Sequence, residues 1–287
     1  MRARVRGTEI FFDVDGAQFV PEGPRMVERP VLFLLHGGPG GEHSSFKTQH
    51  GVLRDVAQLI YVDHRGSGRS SPADRSTYTL DENIDDLDAL RDYLGLERIA
   101  VLGSSYGGMV AQGYAIRYPN RVSNLILVAT APSHRFMDDA KRILAARGTS
   151  EQVRVCERLW SGTFESLDQL VEYYAVMAPL YSVKYDAAKV EEANRRSLRN
   201  YDQLNIGFSG FLRTYDFIPD LHRITCPTLV MAGAHDWICP PNQSRIIAEK
   251  IPRAQLKIFP QSSHSISGDE PEAYFNAVRG FLTHAPL

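Results

Sequence analysis

The chain has 287 residues, 43% hydrophobic and 23% charged, with a formal net charge of −2 and a pI near 6.5. That length fits one large α/β domain, or a core carrying an inserted subdomain. The balanced charge gives no electrostatic case for nucleic acid or an anionic membrane as partner.

Arg2, Arg4 and Arg6 alternate with Ala3 and Val5, so residues 2–6 and 8–13 predict an opening hairpin around Gly7. This start lacks the apolar core of a signal peptide, and no later run approaches the ~20 residues of a membrane span. Three scattered cysteines, Cys156, Cys226 and Cys239, suggest neither a disulfide framework nor a metal cluster, and as reduced thiols they point to the cytoplasm. Asp15 to Pro30, with Gly16, Pro21, Gly23 and Pro24, reads as a turn-rich connector. Val31-Leu32-Phe33-Leu34-Leu35 is apolar throughout, as a strand covered on both faces should be. It ends in His36-Gly37-Gly38-Pro39-Gly40-Gly41, a loop able to bring backbone N–H groups close to a ligand.

A strand at 59–62 leads into Asp63-His64-Arg65-Gly66-Ser67-Gly68-Arg69-Ser70. This run lacks the G-x-x-x-x-G-K-[ST] spacing of a phosphate loop and reads as a structural turn near a site. Thr79 and Glu82 predict a capping box, followed by a helix with Ile84, Leu87, Leu90, Tyr93 and Leu94 on its apolar face. Next come a buried strand at 99–102, Gly103-Ser104-Ser105-Tyr106-Gly107-Gly108, and helical spacing over 109–115. Strand, G-x-S-x-G, helix is the pattern of a serine held in a strained turn above a sheet edge. Gly103 and Gly107 let strand and helix approach, and the helix N-terminus favours a developing negative charge.

After a strand at 122–128 the strand–helix alternation stops. Residues 132–220 carry polar helical stretches and many aromatics, among them Trp160, Phe164, Tyr173, Tyr174, Tyr181 and Phe208. This is expected to be a helical cap inserted in a core of residues 1–131 and 221–287. The alternation resumes with a strand at 228–232, a helix at 242–250, a strand at 255–259 and a final helix at 271–283. The expected fold is α/β: a mostly parallel eight-stranded sheet with helices on both faces.

A serine nucleophile needs a base, and the base an orienting carboxylate. Both should lie just beyond strand ends, where ligands of open α/β sheets bind. Asp236 follows the strand at 228–232 and His264 the strand at 255–259. The order Ser105, Asp236, His264 is that of the α/β-hydrolases. Of nine histidines, His36 and His64 precede glycine-rich turns and should brace them, and His235 should point away from its neighbour Asp236. His43, His50, His134, His222 and His284 lack a strand-end setting. The oxyanion donors should be the N–H of Tyr106 and one from the 36–40 loop, Gly38 first and Gly37 next. There is no H-E-x-x-H pair and no cofactor fingerprint, so no metal or cofactor is expected.

The His36-Gly37-Gly38-Pro39-Gly40 loop, the 63–70 loop, the serine turn and the late Asp and His together resemble the proline iminopeptidase family of the α/β-hydrolase superfamily. The likeness spans nearly the whole chain and is strongest in the core. It implies a serine hydrolase, and in that family acidic residues hold the substrate's N-terminal ammonium. At the corresponding positions this chain has Trp237, directly after the acid, and Asn205, in the cap; Asp202 or Glu172 could supply an anion instead. Trp237, Asn205, Phe208 and Gly37 are thus expected to contact substrate. Losing two anions that meet one cation weakens its binding. The leading expectation is therefore a small-molecule amide or ester with an apolar group. The alternatives are a true aminopeptidase and, from a different class, a non-catalytic ligand receptor. No pattern sets an oligomeric state.

Overall fold

The computed structural model describes residues 1–284; residues 285–287, the end of the expected core segment, lie outside the described residues. β1 (Arg2–Val5) buries Ala3 and Val5 and exposes its arginines, then turns back at Gly7 into β2 (Thr8–Asp15), as its alternation requires. The connector is more ordered than its composition predicts. β3 (Phe19–Glu22) and β4 (Arg25–Glu28) form a separate antiparallel hairpin whose turn is Gly23-Pro24. Its strands are largely exposed, so they lack the apolar alternation by which a strand is recognised.

β5 (Val31–Leu35) is buried along its length. The chain then forms α1 (Ser44–His50), which no periodicity announced, β6 (Gln58–Val62), α2 (Leu80–Tyr93), β7 (Ile99–Ser104), α3 (Tyr106–Arg117) and β8 (Val122–Val128). It leaves the sheet for α4 (Phe136–Arg147), α5 (Ser150–Ser161), α6 (Leu167–Tyr181), α7 (Ala187–Arg196) and α8 (Tyr201–Ser209). It returns through β9 (Thr228–Gly233), α9 (Pro241–Lys250), β10 (Ala254–Phe259), α10 (Ile266–Asp269) and α11 (Pro271–His284). The eight-stranded sheet runs β1-β2-β6-β5-β7-β8-β9-β10. Every pair from β6 to β10 is parallel, while β2 is antiparallel to both its neighbours.

Two apolar clusters divide the residues of β5 by parity. Val31, Phe33 and Leu35 pack with Ile84, Leu87 and Met109 of α2 and α3. Leu32 and Leu34 pack with Phe46 of α1 and Tyr274 and Val278 of α11. Helices therefore cover both faces, and the central strands must be apolar on each side. α2 departs from expectation in two details. Thr79 Oγ1 accepts from Glu82 N at 3.1 Å, but the Glu82 carboxylate turns to Arg6 and Arg65, so only half of the capping box forms. Tyr93 stands 57% exposed at the end of the helix, beyond the apolar stripe.

The start of α8 is fastened to the two polar loops at the sheet's carboxyl edge. Asn200 N donates to Gly40 O at 2.8 Å and Asn200 Nδ2 to Gly66 O at 3.0 Å. Gln203 accepts from Ser67 Oγ at 2.9 Å and donates to Arg65 O at 2.8 Å. Leu34→Ala is expected to destabilise by about 2–5 kcal/mol, because it opens a void in a strand packed on both sides. Tyr93→Ala should stay within about 0.5 kcal/mol. Urea unfolding of the two variants checks the contrast.

Candidate active site

β7 ends and α3 begins within two residues, and Ser105 makes the turn at φ 55°, ψ −121°. Such a conformation is rare for a residue with a side chain and persists only when its surroundings hold it. Ser105 N donates to Val128 O at 2.9 Å, Thr130 Oγ1 donates to Ser105 O at 2.7 Å, and Gly108 N donates to the same oxygen at 2.9 Å. The close crossing also needs the flanking glycines. A Cβ on Gly103 would overlap the carbonyl of Gly107, and one on Gly107 would overlap the carbonyl of Leu35. Tyr106 opens the helix, where the first N–H groups have no intrahelical acceptor. Its ring is buried and its hydroxyl accepts from Asn83 Nδ2 at 2.6 Å, so this residue faces the turn with its backbone alone.

Asp236, after β9, is fully buried. Its Oδ1 accepts from Ile238 N at 2.9 Å and Cys239 N at 3.0 Å, while its Oδ2 lies 2.8 Å from His264 Nδ1. A carboxylate can only accept, so Nδ1 carries a proton, and in the neutral ring the lone pair is on Nε2. The His264 side chain is 13% exposed, and the Tyr181 ring stands edge-on to it at 5.4 Å.

Ser105 and His264 open into one cavity of about 710 Å³. Gly37, Gly38 and Phe208 are in its wall, as expected from the sequence. A Cβ added to Gly37 would stand 3.2 Å from Ser105 Cβ and 3.7 Å from its Oγ, so this loop lies directly beside the serine. Trp237 and Asn205 are outside the wall. The turn that aims the N–H groups of 238 and 239 at Asp236 puts Ile238 and Cys239 on the cavity. It sends Trp237 inward, its ring 6.2 Å from that of Trp160 and 5.5 Å from that of Tyr181. Asn205 spends its amide on the backbone of Phe164, accepting at 2.9 Å and donating at 2.7 Å. The substitute anions are elsewhere too: Asp202 pairs with Arg75, and Glu172 with Arg154 and Arg158.

His36 braces the glycine loop, its Nδ1 2.8 Å from Gly37 O and its Nε2 accepting from His64 N at 3.2 Å. Burial lowers the pKa of both rings, as neutral structural histidines require. His235 is exposed, away from Asp236. Glu42, His43 and Asp63 form a buried trio whose oxygens are already taken. Asp63 accepts from His43 N, His43 Nδ1 and Arg69 N, and Glu42 accepts from Ser44 and Arg69. The trio therefore ties the two glycine-rich loops together. Burial opposes the charge on Asp63, yet the hydrogen bonds from His43 and from Arg69 N hold its carboxyl below the usual range.

A model of the alpha/beta hydrolase fold family matches residues 30–271. The chain belongs to that family. Within it the chain is of the proline iminopeptidase-like group, and the protein is a hydrolase. It is 35% identical over 280 residues to the proline iminopeptidase PfmaB of Pestalotiopsis fici, covering 95% of this chain and 98% of the relative. It is 29% identical over 275 residues to the putative carbamate hydrolase RutD of Caulobacter sp., covering 94% and 97%. The crystal structure of proline iminopeptidase from Mycobacterium smegmatis superposes with a TM-score of 0.79 over 99% of this chain and 98% of that one, at 24% identity, and so shares the fold.

Sequence reasoning missed an anchor that the hydrolase provides for the His264 loop. Asp269, fully buried at the end of α10, accepts from Ser263 N at 2.8 Å and from Ser182 Oγ at 2.5 Å. It also receives Val183 N and Lys184 N at 3.3 and 3.2 Å. One carboxylate thus ties the loop of His264 to the segment leaving α6. No local pattern marks it, because Ser182 is 87 positions away in sequence. Asp269→Asn puts an NH2 group among four donors and is expected to cost about 1.5–3 kcal/mol. Urea unfolding measures the loss, and kcat/KM should fall with it as the His264 loop loosens.

Proposed function

We propose that this hydrolase cleaves small amides or esters, with Ser105 as nucleophile, His264 as base and Asp236 as the group that orients it. One observation carries the reading. Asp236 gives one oxygen to two backbone N–H groups and the other to His264 Nδ1, leaving His264 Nε2 as the acceptor in a cavity shared with Ser105. In this mechanism Ser105 Oγ attacks the carbonyl carbon as its proton passes to His264 Nε2. The carbonyl oxygen takes up the negative charge and meets the N–H groups of Tyr106 and Gly38, with Gly37 as the alternative second donor. Collapse of the tetrahedral intermediate expels the amine or alcohol with the proton from His264, leaving an acyl group on Ser105. Water, deprotonated by the same nitrogen, attacks this acyl-enzyme. The second collapse frees the acid and returns the proton to Ser105.

Residues 132–220 act in this proposal as a helical cap over a core of residues 1–131 and 221–287. The cap would contribute Phe136, Leu159, Tyr173, Leu204, Phe208 and Leu212 to an apolar wall, which suits an apolar acyl or leaving group. Three free and buried cysteines support a cytoplasmic setting. Among the described residues no helix is long and apolar enough to cross a membrane.

The identity with PfmaB favours a second reading, release of an N-terminal proline or other residue. That chemistry needs an anion for the substrate ammonium. The carboxylates in the cavity wall are Glu42 and Asp186; Glu42 is engaged by Arg69 and Ser44, and Asp186 caps α7. Amide or ester cleavage without a required ammonium is therefore the preferred reading.

Ser105→Ala should abolish turnover and labelling by an aryl phosphonate while the thermal unfolding curve stays unchanged; appreciable residual turnover overturns the mechanism. The two readings separate on matched proline and N-acetylproline 4-nitroanilides. Acetylation is expected to change kcat/KM by less than about tenfold, or about 1.4 kcal/mol. A strong preference for the free amine would favour the aminopeptidase.

A further inference from the structure

The cavity has a second chemical feature, in the part of its wall built by residues 182–199. Lys184 and Lys189 are exposed at its rim and Arg199 is half-buried beside them. Among the described residues no carboxylate oxygen lies within 4.0 Å of the charged nitrogens of these three. Arg199 is nevertheless held in place. Its guanidinium carbon lies 4.1 Å from the centre of the Tyr174 ring, and its Nη1 donates to Asn194 Oδ1 at 2.7 Å. Tyr174 and Asn194 are also wall residues. A guanidinium stacked on one face and bonded at one nitrogen keeps further N–H donors, in a planar fork that matches an oxyanion.

The acids of the wall form no ion pair with these cations. Glu42 accepts from Arg69 Nη1 at 3.1 Å and Ser44 N at 2.9 Å. Asp186, exposed, accepts through Oδ1 from Ala188 N at 3.0 Å and Lys189 N at 3.3 Å at the N-terminus of α7. The wall thus holds three cations without an ion pair and one exposed carboxylate, Asp186, whose Oδ1 caps α7. Around Ser105 it is apolar, with Met109, Val128 and Phe208, where an unpaired charge would be costly to bury.

We propose that Arg199, with Lys184 and Lys189, binds an oxyanion of the substrate. The substrate would be an amide or ester with an apolar middle and a carboxylate or phosphate at the end remote from the scissile bond. This inference rests on the reading of the same cavity as the hydrolytic site. The cations steer that end to the rim, so the scissile carbonyl reaches Ser105 in one orientation.

The test measures binding apart from turnover. Calorimetry on the Ser105→Ala protein at low ionic strength compares glutaric acid monoanilide, its methyl ester, and 4-acetamidophenyl phosphate. Either or both anions should bind at least about tenfold more tightly than the neutral ester, and which one does so separates a carboxylate from a phosphate. The preference should shrink as salt rises toward ~0.5 M. Arg199→Gln should remove most of it and Arg199→Lys only part, because lysine keeps the charge and loses the fork. Should Arg199→Gln unfold, the exposed pair Lys184→Gln and Lys189→Gln carries the same test. Equal binding of acids and ester, no detectable binding of either acid, or a preference that survives these substitutions overturns the proposal. Hydrolysis of phenyl acetate by the unaltered protein isolates the underlying reading. Ser105-dependent hydrolysis without an anion preference sinks the rim site alone. An anion preference without Ser105-dependent hydrolysis leaves the rim site standing and sinks the assignment of Ser105.

Discussion

The crossing of β7 and α3 at Ser105 is the constraint on which the other parts depend. A side chain at φ 55° holds strain of order 1–3 kcal/mol and relaxes unless the neighbours forbid it. They forbid it here. Val128 O, Thr130 Oγ1 and the first turn of α3 grip the serine's backbone, and the strand and helix meet so closely that only glycine fits at 103 and 107. Both anchors on the far side belong to β8 and its exit, so the turn is stable only where the central parallel strands are already in register. The apolar residues of β5, β7 and β8, buried on both faces, thus fix the position of a polar oxygen at the sheet edge.

The positions of the proposed acid and base follow a different rule, that of saturating a buried charge. Asp236 would be expensive inside the protein with its lone pairs unmet. Two N–H groups and one imidazole meet them, and the same geometry selects the tautomer of His264. Asp269 repeats the device a few residues on, where its four donors come from the His264 loop and from the end of α6. Any movement of residues 182–184 therefore reaches the loop of the proposed base through one carboxylate. On the other side of the cavity, Asn200 and Gln203 tie α8 to the glycine loops in the same way. The helical segment is joined to the sheet edge by hydrogen bonds on both flanks of the cavity.

Charge is distributed in the cavity by the same economy. Glu42, Asp63, Asp236 and Asp269 are buried and all have protein donors, so they shape loops. The cations at 184, 189 and 199 stand near water, where they need no partner to be tolerated. An apolar interior with a basic rim suits a ligand that is greasy in the middle and anionic at one end.

Much of this was legible in the sequence because it depends on local patterns. Continuous apolar runs marked the parallel strands, the serine motif marked the turn, and strand-end loops marked Asp236 and His264 without any knowledge of distance. A two-residue turn, a helix start or a strand end is decided by residues next to one another, and its signal survives in one dimension. What failed there was decided by contacts across the chain. Exposed β3 and β4 were hidden by their own turn residues, and Tyr93 continued a helical period past the end of its packing partners. Trp237 and Asn205 took the right positions in the sequence and lost them in space, because the turn at 238–239 and the backbone of Phe164 claimed them first. Asp269 and the uncommitted cations of the rim had no local mark at all. Whether a charged side chain is an anchor, a bystander or a ligand depends on which donors and acceptors reach it from distant segments, and only the packed chain determines that.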